Sequence, residues 1–147
     1  MNRRQFVTSL PALTLGGSLL RAERKKPGVK FKVGLVTYNI ARDWDLKTIL
    51  SVCKETGMQA VEFRSTHKHG VEPTMSKAQR KEVKNMFGDA GIQIYGCGTA
   101  CEFHSPSAAK VKQNIETCKR VVELTYDIGG RGGKLGANGR AKDVAVA

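Results

Sequence analysis

The sequence predicts an α/β fold in which parallel strands alternate with helices, as they do in a (β/α)₈ TIM barrel. From residue 31 onward, strand-like segments alternate strictly with segments that carry an apolar helical stripe. The links from helix to strand are very short, whereas those from strand to helix are long and polar, as on the functional face of a barrel. The alternative is an open doubly wound sheet, but no glycine-rich phosphate fingerprint follows the first strand.

The chain of 147 residues divides into three parts. We predict a signal peptide and linker at residues 1–26, a partial barrel at residues 27–139 and an unstructured tail at residues 140–147. The middle part holds only about the first three to four of the eight βα units that close a barrel.

Residues 31–38 (FKVGLVTY) are rich in β-branched and aromatic residues and predict the first strand. Asp45 is a suitable N-cap for a first helix that begins at Leu46, and Gly57 ends this helix. The apolar stripe of the helix is Leu46, Ile49, Leu50 and Cys53.

Residues 58–63 (MQAVEF) predict the second strand, and a loop at residues 64–75 follows it. Ser76 begins the second helix with Gln79 at the capping-box position, and Gly91 ends it. The apolar stripe of this helix is Val83, Met86, Phe87 and Ala90.

Residues 92–97 predict the third strand, residues 99–106 a loop, and residues 107–126 the longest helix. A fourth strand in residues 130–139 is weakly supported, because this segment is rich in glycine and glycine weakens strands. The expected buried face of the long helix is Val111, Ile115, Cys118, Val122 and Thr125.

The start of the chain has the features of an export signal. Arg3 and Arg4 precede Phe6, and the apolar run at residues 7–20 is shorter than the roughly 20 apolar residues of a membrane span. A basic start, a short apolar stretch and small residues near Ala22 are typical of a secretory signal. The arginine pair resembles a twin-arginine signal, so we expect a periplasmic protein with no membrane span after signal removal.

The net charge of +12 is unevenly distributed. Residues 1–26 carry six basic residues and one acidic residue, and the other basic residues are scattered through helical patterns. No block of Lys and Arg with interleaved aromatic residues occurs, so we expect no nucleic-acid partner. The positive charge of the middle part favours a small anionic ligand.

The four cysteines do not form a zinc pattern, because no C-x₂-C spacing occurs. Cys53 and Cys118 fall within helical patterns and are expected to be small buried residues. Export would permit a disulfide between Cys97 and Cys101.

Three segments, VGLVTYNI, GMQAVEFRSTHKHG and AGIQIYGCGTACEFH, resemble the xylose isomerase-like TIM-barrel superfamily of sugar-phosphate isomerases and epimerases. The resemblance covers residues 31–130, and the segment at residues 57–63 resembles the second strand, which ends in a glutamate. It implies a small sugar or sugar phosphate as substrate and a divalent metal (Mn, Mg or Zn) as cofactor. The metal ligands of the family lie mainly on later strands, which are not expected in this chain.

Five residues follow the second and third strands and are the candidate catalytic residues of the barrel mouth: Glu62, His67, His69, Glu102 and His104. Carboxylates and imidazoles there are suited to moving protons between adjacent carbons of a sugar. The i, i+2 spacing of each pair directs both side chains to the same side if the backbone is extended. A zinc-dependent, abasic-site endonuclease branch of the superfamily takes histidines from these loops, which makes His69 and His104 the candidate metal ligands.

Less specific interpretations remain open for three of these residues. Glu62 has Arg64 two residues away as a partner for an ordinary ion pair, and His67 and His69 are also compatible with an exposed loop.

We therefore predict a sugar or sugar-phosphate isomerase/epimerase-like protein that is incomplete as printed and inactive alone. The alternative is a non-catalytic carbohydrate-binding or interaction remnant of the fold, and an abasic-site endonuclease-like protein is less favoured. An incomplete barrel has two open sheet edges, so self-association through these edges is also expected.

Replacement of Arg3 and Arg4 by lysine is expected to abolish export, because twin-arginine recognition depends on the arginine pair. Cell fractionation measures the periplasmic share of the protein. Undiminished periplasmic protein in the double variant would contradict the assignment of the export route.

Overall fold

Four parallel strands and three helices alternate along residues 31–136, the part of the chain that the computed structural model describes. The elements are β1 (Gly34–Val36), α1 (Leu46–Thr56), β2 (Ala60–Arg64), α2 (Lys77–Asp89), β3 (Gln93–Glu102), α3 (Ala108–Asp127) and β4 (Gly132–Gly136). The strand order is β1-β2-β3-β4, so each strand pairs with the next one along the chain. This is the predicted topology of a partial TIM barrel. The predicted signal and the predicted tail lie outside the described residues.

The strands pair in a register that brings their C-terminal ends to one edge of the sheet. Val61 of β2 lies opposite Leu35 of β1 and Ile94 of β3. A bulge then shifts the β2–β3 register, so that Glu62 pairs with Gly96 and Tyr95 has no opposite residue. We call the edge at which β1–β4 end the C-terminal edge. In a barrel, this edge holds the functional residues.

The predicted helix caps are confirmed. Asp45 accepts a hydrogen bond from the Thr48 backbone N–H at 2.8 Å, which satisfies a free donor at the start of α1. Ser76 and Gln79 form the reciprocal capping box at the start of α2. Gly57 ends α1 with a φ of 73°, a conformation that is unfavourable for residues with a side chain.

The three helices cover one face of the sheet, and the core lies between the two layers. Val61 and Phe63 of β2 are fully buried there, and the Phe63 ring packs edge-to-face on Phe87 of α2 at 5.2 Å. Burial of one such aromatic side chain contributes about 2–3 kcal/mol. On the opposite face, Val36 and Tyr95 are exposed. In a closed barrel that face points to the interior.

Strand β3 is longer than predicted. It continues through Glu102, so residues 99–102 are strand and not loop. Two contacts hold this extension: Glu102 pairs with Gly136 of β4, and its carbonyl oxygen accepts a hydrogen bond from the Asn114 side-chain amide at 2.6 Å. Both partners are distant in sequence, so the local pattern does not reveal them.

The fourth strand forms within the glycine-rich segment as β4. Glycine permits an unusually close approach here, because a Cβ atom on Gly96 would lie 1.6 Å from the Gly132 carbonyl oxygen. The absence of a side chain at Gly96 is therefore a condition for the pairing of β3 with β4.

The buried face of α3 differs from the predicted one. Cys118 and Thr125 are buried as expected, but Ile115 is 41% exposed and Val122 is 62% exposed. Val121 and Leu124 are buried in their place. Apolar residues lie on two overlapping stripes of this helix, and the packing against β3 selects the stripe that contains Val121.

The Cys97–Cys101 disulfide that export would permit is incompatible with the structure, in which all four cysteines are free. Both residues lie in strand β3, four positions apart. Four residues of extended chain span about 13 Å, whereas a disulfide requires Cα atoms about 4.4–6.8 Å apart.

No helix between residues 31 and 136 combines the length and the hydropathy that a membrane crossing requires. Strands β1 and β4 are the two edges of the described sheet. Self-association through these edges stays a prediction.

Replacement of Gly96 by alanine is expected to lower the free energy of unfolding by more than about 3 kcal/mol, because the added methyl group separates β3 from β4. Gly88→Ala is the matched control. A Cβ atom there meets nothing within 4 Å, so alanine in α2 is expected to raise stability by about 0.5–1 kcal/mol. Urea unfolding followed by circular dichroism measures both changes. Equal midpoints for wild type and Gly96→Ala would show that β4 does not pair as described.

Candidate functional site

The structure places all five predicted site residues near the C-terminal edge of β2 and β3. Glu62 lies within β2, and the turn after this strand carries His67 and His69. Glu102 ends β3, and His104 follows two residues later. Because β2 and β3 are parallel neighbours, both pairs of residues belong to one edge of the sheet.

The segment that carries His67 and His69 is a turn and not the extended chain that the i, i+2 argument assumed. Thr66 has a φ of 66° and Gly70 a φ of 70°, so the backbone reverses on both sides of the histidines. The two rings nevertheless meet, with centroids 5.9 Å apart and planes at 67°.

Hydrogen bonds within the protein engage both ring nitrogens of His69. The Val71 backbone N–H donates to Nδ1 at 3.1 Å, which makes Nδ1 an acceptor. The hydrogen atom of the neutral ring is therefore assigned to Nε2, which lies 3.0 Å from the Arg64 carbonyl oxygen and 3.3 Å from the Thr37 hydroxyl. Burial lowers the pKa of His69, the Arg64 carbonyl opposes this effect and the nearby His67 adds to it, so that the pKa is about 4. His69 is therefore a neutral residue that positions the turn.

Thr37 is fully buried just after β1 and completes this arrangement. Its hydroxyl oxygen accepts a hydrogen bond from the Arg64 backbone N–H at 2.8 Å, and its own N–H donates to the Glu62 carbonyl at 3.0 Å. Thr37, Arg64 and His69 thus form one hydrogen-bonded cluster, which we call the Thr37 junction.

The Arg64 side chain links the ends of three strands. Its guanidinium group lies over the Tyr38 ring at 5.2 Å and donates a hydrogen bond to the Thr99 carbonyl of β3. A cation over an aromatic ring is stabilised by about 0.5–1 kcal/mol when it is partly exposed. The sequence showed Arg64 only as a basic residue beside Glu62, so its structural role was not predicted.

His67 differs from His69 in that one ring nitrogen remains available. The ring is 9% exposed and stacks on Tyr38 with planes at 11° and centroids 6.3 Å apart. Its Nδ1 atom is buried and has no hydrogen-bond partner among the described residues. A buried polar atom without a partner is costly.

Glu62 does not form the ion pair with Arg64 that the sequence suggested as an alternative. The salt bridges within residues 31–136 join Arg80 to Asp127, His104 to Glu102 and Lys119 to Glu116. The Glu62 carboxylate instead lies over Gly98 of β3, where an added Cβ would come within 2.9 Å of Oε1. This carboxylate is on the face of the sheet that the helices leave uncovered.

Glu102 and His104 approach each other, with Oε2 and Nε2 separated by 3.7 Å. The Nδ1 atom of His104 is buried without a hydrogen-bond partner among residues 31–136. Carboxylate and imidazole in contact are a pair between which a proton moves readily.

An open pocket of about 510 Å³ lies at the C-terminal edge beside Glu102, within the roughly 300–1,000 Å³ of small-molecule sites. Ten of its fourteen lining residues have polar side chains, and we call it the polar pocket. Its polar side chains are those of Ser65, Thr66, Glu72, Thr99, Glu102, Ser105, Lys110, Gln113, Asn114 and Thr117. Four of these ten residues come from α3, and they were not predicted, because nothing in the helical pattern indicates that the first half of α3 borders a pocket.

The described residues do not by themselves fit the divalent metal that the resemblance implies. Both ring nitrogens of His69 are engaged by the protein, and no three His, Cys, Asp or Glu side chains of residues 31–136 cluster as metal ligands would. The assignment of His69 and His104 as metal ligands stays a prediction, and no catalytic step below depends on a metal.

The solved structures that are similar to this chain include two with TM-scores above 0.5. One is described as a putative xylose isomerase from Rhodospirillum rubrum ATCC 11170, with a TM-score of 0.55 and 14% sequence identity over 70% of this chain and 38% of the other. The second is a xylose isomerase-like TIM barrel/4-hydroxyphenylpyruvate dioxygenase fusion protein, with a TM-score of 0.54 and 17% identity over 76% of this chain and 18% of the other. No family model and no curated protein matches the sequence.

These similarities establish the fold class. The described residues form part of a TIM-barrel fold, and the chain spans less than two fifths of either similar structure. At this level of sequence identity, the fold is shared and the function is a separate question.

The low pKa of His69 predicts a specific loss of stability in acid. The folded pKa of about 4 lies below the ordinary value of 6.5, so the contribution of neutral His69 is complete above pH 6.5 and is lost as the pH falls toward 4. One proton changes the free energy of unfolding by at most about 1.4 kcal/mol per pH unit. Urea unfolding at several pH values measures this slope.

His69→Gln is expected to flatten the slope between pH 4 and 6.5. His69→Gln also loses about 1–3 kcal/mol at neutral pH, because the backbone groups around the ring lose partners. An unchanged slope in His69→Gln would show that this ring is not buried in its neutral form.

Proposed function

We propose that this chain belongs to a sugar or sugar-phosphate isomerase/epimerase-like protein and binds its sugar in the polar pocket. The observation that carries the proposal is the lining of this pocket at the C-terminal edge, the edge at which TIM barrels bind their ligands. The names of the two similar structures support the substrate class, but they describe those proteins.

The chemistry of the lining suits a molecule with many hydroxyl groups. The carboxylates of Glu72 and Glu102 accept hydrogen bonds, and the amides of Gln113 and Asn114 and the serine and threonine hydroxyls both donate and accept. Each hydroxyl of a sugar can donate one hydrogen bond and accept another. A lining that offers both acceptors and donors therefore pairs with these hydroxyls without leaving buried polar groups unpaired.

Lys110 provides the pocket with a positive charge in the first turn of α3. Ser107 caps this helix, and the Lys110 ammonium group lies 3.3 Å from the Gln113 side-chain oxygen. The positive end of a helix together with a lysine favours a phosphate group. We therefore propose that a sugar phosphate binds with its phosphate toward Lys110.

The side chains at the same edge would provide proton transfer in the complete protein. Isomerisation moves a proton between adjacent carbons, so a base must remove it and an acid must return it. Of the candidate residues, Glu102 lines the polar pocket and has His104 beside it at 3.7 Å, so this pair is the candidate acid and base, whereas Glu62 and His67 do not line the pocket. His69 is proposed to position these groups rather than to react, because its two nitrogens are engaged.

A second candidate function is carbohydrate binding without catalysis. The engaged His69 ring favours it, as does the lack of a metal-ligand cluster within residues 31–136. Under both candidates, the 147-residue chain alone is expected to bind sugars without isomerase turnover. The abasic-site endonuclease alternative gains no support, because His69 would have to give up its present hydrogen bonds to bind zinc.

Binding of fructose and fructose 6-phosphate, measured by isothermal titration calorimetry, tests the pocket. The phosphate is expected to bind more tightly, and Lys110→Ala is expected to weaken its binding roughly five- to tenfold without changing the binding of fructose. Lys112→Ala is the matched control, because Lys112 is exposed on the same helix and does not line the pocket.

Three results would count against the proposal. Binding of neither compound would rule out the sugar pocket, and equal losses in Lys110→Ala and Lys112→Ala would reduce the effect to net charge. Turnover of fructose 6-phosphate by the chain alone would contradict the expectation of binding without catalysis.

A further inference from the structure

Two buried thiols meet where the end of β3 packs against α3. Cys101 is the last residue but one of β3, Cys118 lies in the middle of α3, and both side chains are buried. The Cys118 thiol has the Cys101 thiol as a side-chain hydrogen-bond neighbour, and the Thr99 hydroxyl lies beside them. Neither cysteine is in a disulfide.

Hydrogen bonds fix this contact from both elements. On the strand, the Cys101 N–H donates to the Thr99 hydroxyl oxygen at 3.2 Å. On the helix, the Asn114 side-chain amide donates to the Glu102 carbonyl at 2.6 Å. Asn114 and Cys118 are four residues apart and therefore share one face of α3. The face of α3 that binds the end of β3 through Asn114 is thus also the face on which Cys118 lies.

The polar pocket gives small molecules access to one of the two thiols. Cys101 lines the pocket together with Thr117 and Val121, which flank Cys118 on its helix, whereas Cys118 does not line it. Burial raises the pKa of the Cys118 thiol, and the neighbouring Cys101 thiol raises this pKa further. A reagent that enters the pocket therefore meets Cys101 before Cys118.

We propose that Cys101 and Cys118 are a reversible disulfide site whose oxidant is a small-molecule disulfide such as oxidised glutathione. The Cys101 thiolate attacks one sulfur of the oxidant and releases one thiolate, which leaves a mixed disulfide on Cys101. The Cys118 thiolate then attacks the Cys101 sulfur, which forms the Cys101–Cys118 disulfide and releases the second thiolate of the oxidant. Two thiol protons of the protein end on the two released thiols, and the protein is oxidised by two electrons while the oxidant disulfide is reduced.

This inference does not depend on the proposed function. The bond would join the end of β3 to α3 and close the loop that carries His104, beside the wall of the polar pocket that Glu102 forms. It would hold that wall in place and restrict the unfolded chain. The periplasm, which the export signal predicts as the location, is an oxidising compartment in which such bonds persist.

The test treats the folded full chain with oxidised glutathione, blocks the remaining thiols after denaturation and maps the peptides by mass spectrometry. The expected product has lost two of its four free thiols, with residues 113–119 cross-linked through Cys118 to the tryptic peptide 85–110. Fragmentation of that peptide distinguishes Cys101 from Cys97. Oxidation is also expected to raise the urea midpoint of unfolding, and dithiothreitol is expected to reverse the rise.

Three single variants complete the test. Cys101→Ser is expected to abolish the cross-link, and Cys118→Ala is expected to leave Cys101 as a stable mixed disulfide with glutathione. Cys97→Ser, the control in the same strand, is expected to cross-link as the wild type does. A wild-type chain that keeps four free thiols, or that joins Cys118 to Cys97, would overturn the proposal whether or not the variants fold.

Discussion

The Thr37 hydroxyl holds together three segments that meet at the C-terminal edge of the sheet. It accepts the Arg64 N–H at 2.8 Å and lies 3.3 Å from Nε2 of His69, so β1, β2 and the turn after β2 share one buried contact. Loss of any one partner would leave a buried polar group of the others unsatisfied, which costs about 1–3 kcal/mol. The position of His67 and the path of the chain toward α2 both depend on this junction.

Residues of the Thr37 junction bond to one another and fix the C-terminal edge. Other residues near this edge keep polar groups that can take part in chemistry. His69 and the Arg64 backbone direct their polar groups to each other, whereas His67 and His104 each keep a buried ring nitrogen without a partner among the described residues. His67 and His69 are two positions apart in the sequence, but their hydrogen bonds differ, and we therefore assign them different roles. The Glu62 carboxylate belongs to the available group, on the uncovered face of the sheet.

Local features of the sequence predicted the alternation of elements and the helix ends, because caps such as Asp45 and Ser76 act within one helical turn. Features set by distant partners were missed. The extension of β3 depends on Asn114, and β4 depends on the close approach at Gly96. The buried stripe of α3 was misplaced, because apolar residues occupy more of its surface than one face can bury.

The candidate site shows the same difference between features set by local sequence and features set by distant partners. Spacing placed the candidate residues after β2 and β3, but it does not reveal hydrogen bonds from another strand, so the role of Thr37 and the engagement of His69 were not predictable. The polar pocket draws most of its lining from the loops and from α3. These contributions follow from the way in which α3 docks on β3, and that docking is a tertiary property.

The central claim is that a sugar binds at the C-terminal edge of this sheet. Amide chemical shifts of the full chain, followed by two-dimensional NMR during titration with fructose 6-phosphate, test it directly. The account predicts that shifts concentrate at residues 65–66, 99–102, 105, 110, 113–114 and 117, which line the polar pocket, and that residues 58–60 and 91–93 at the opposite edge stay unchanged. Shifts confined to the opposite edge, or no shifts at all, would contradict it.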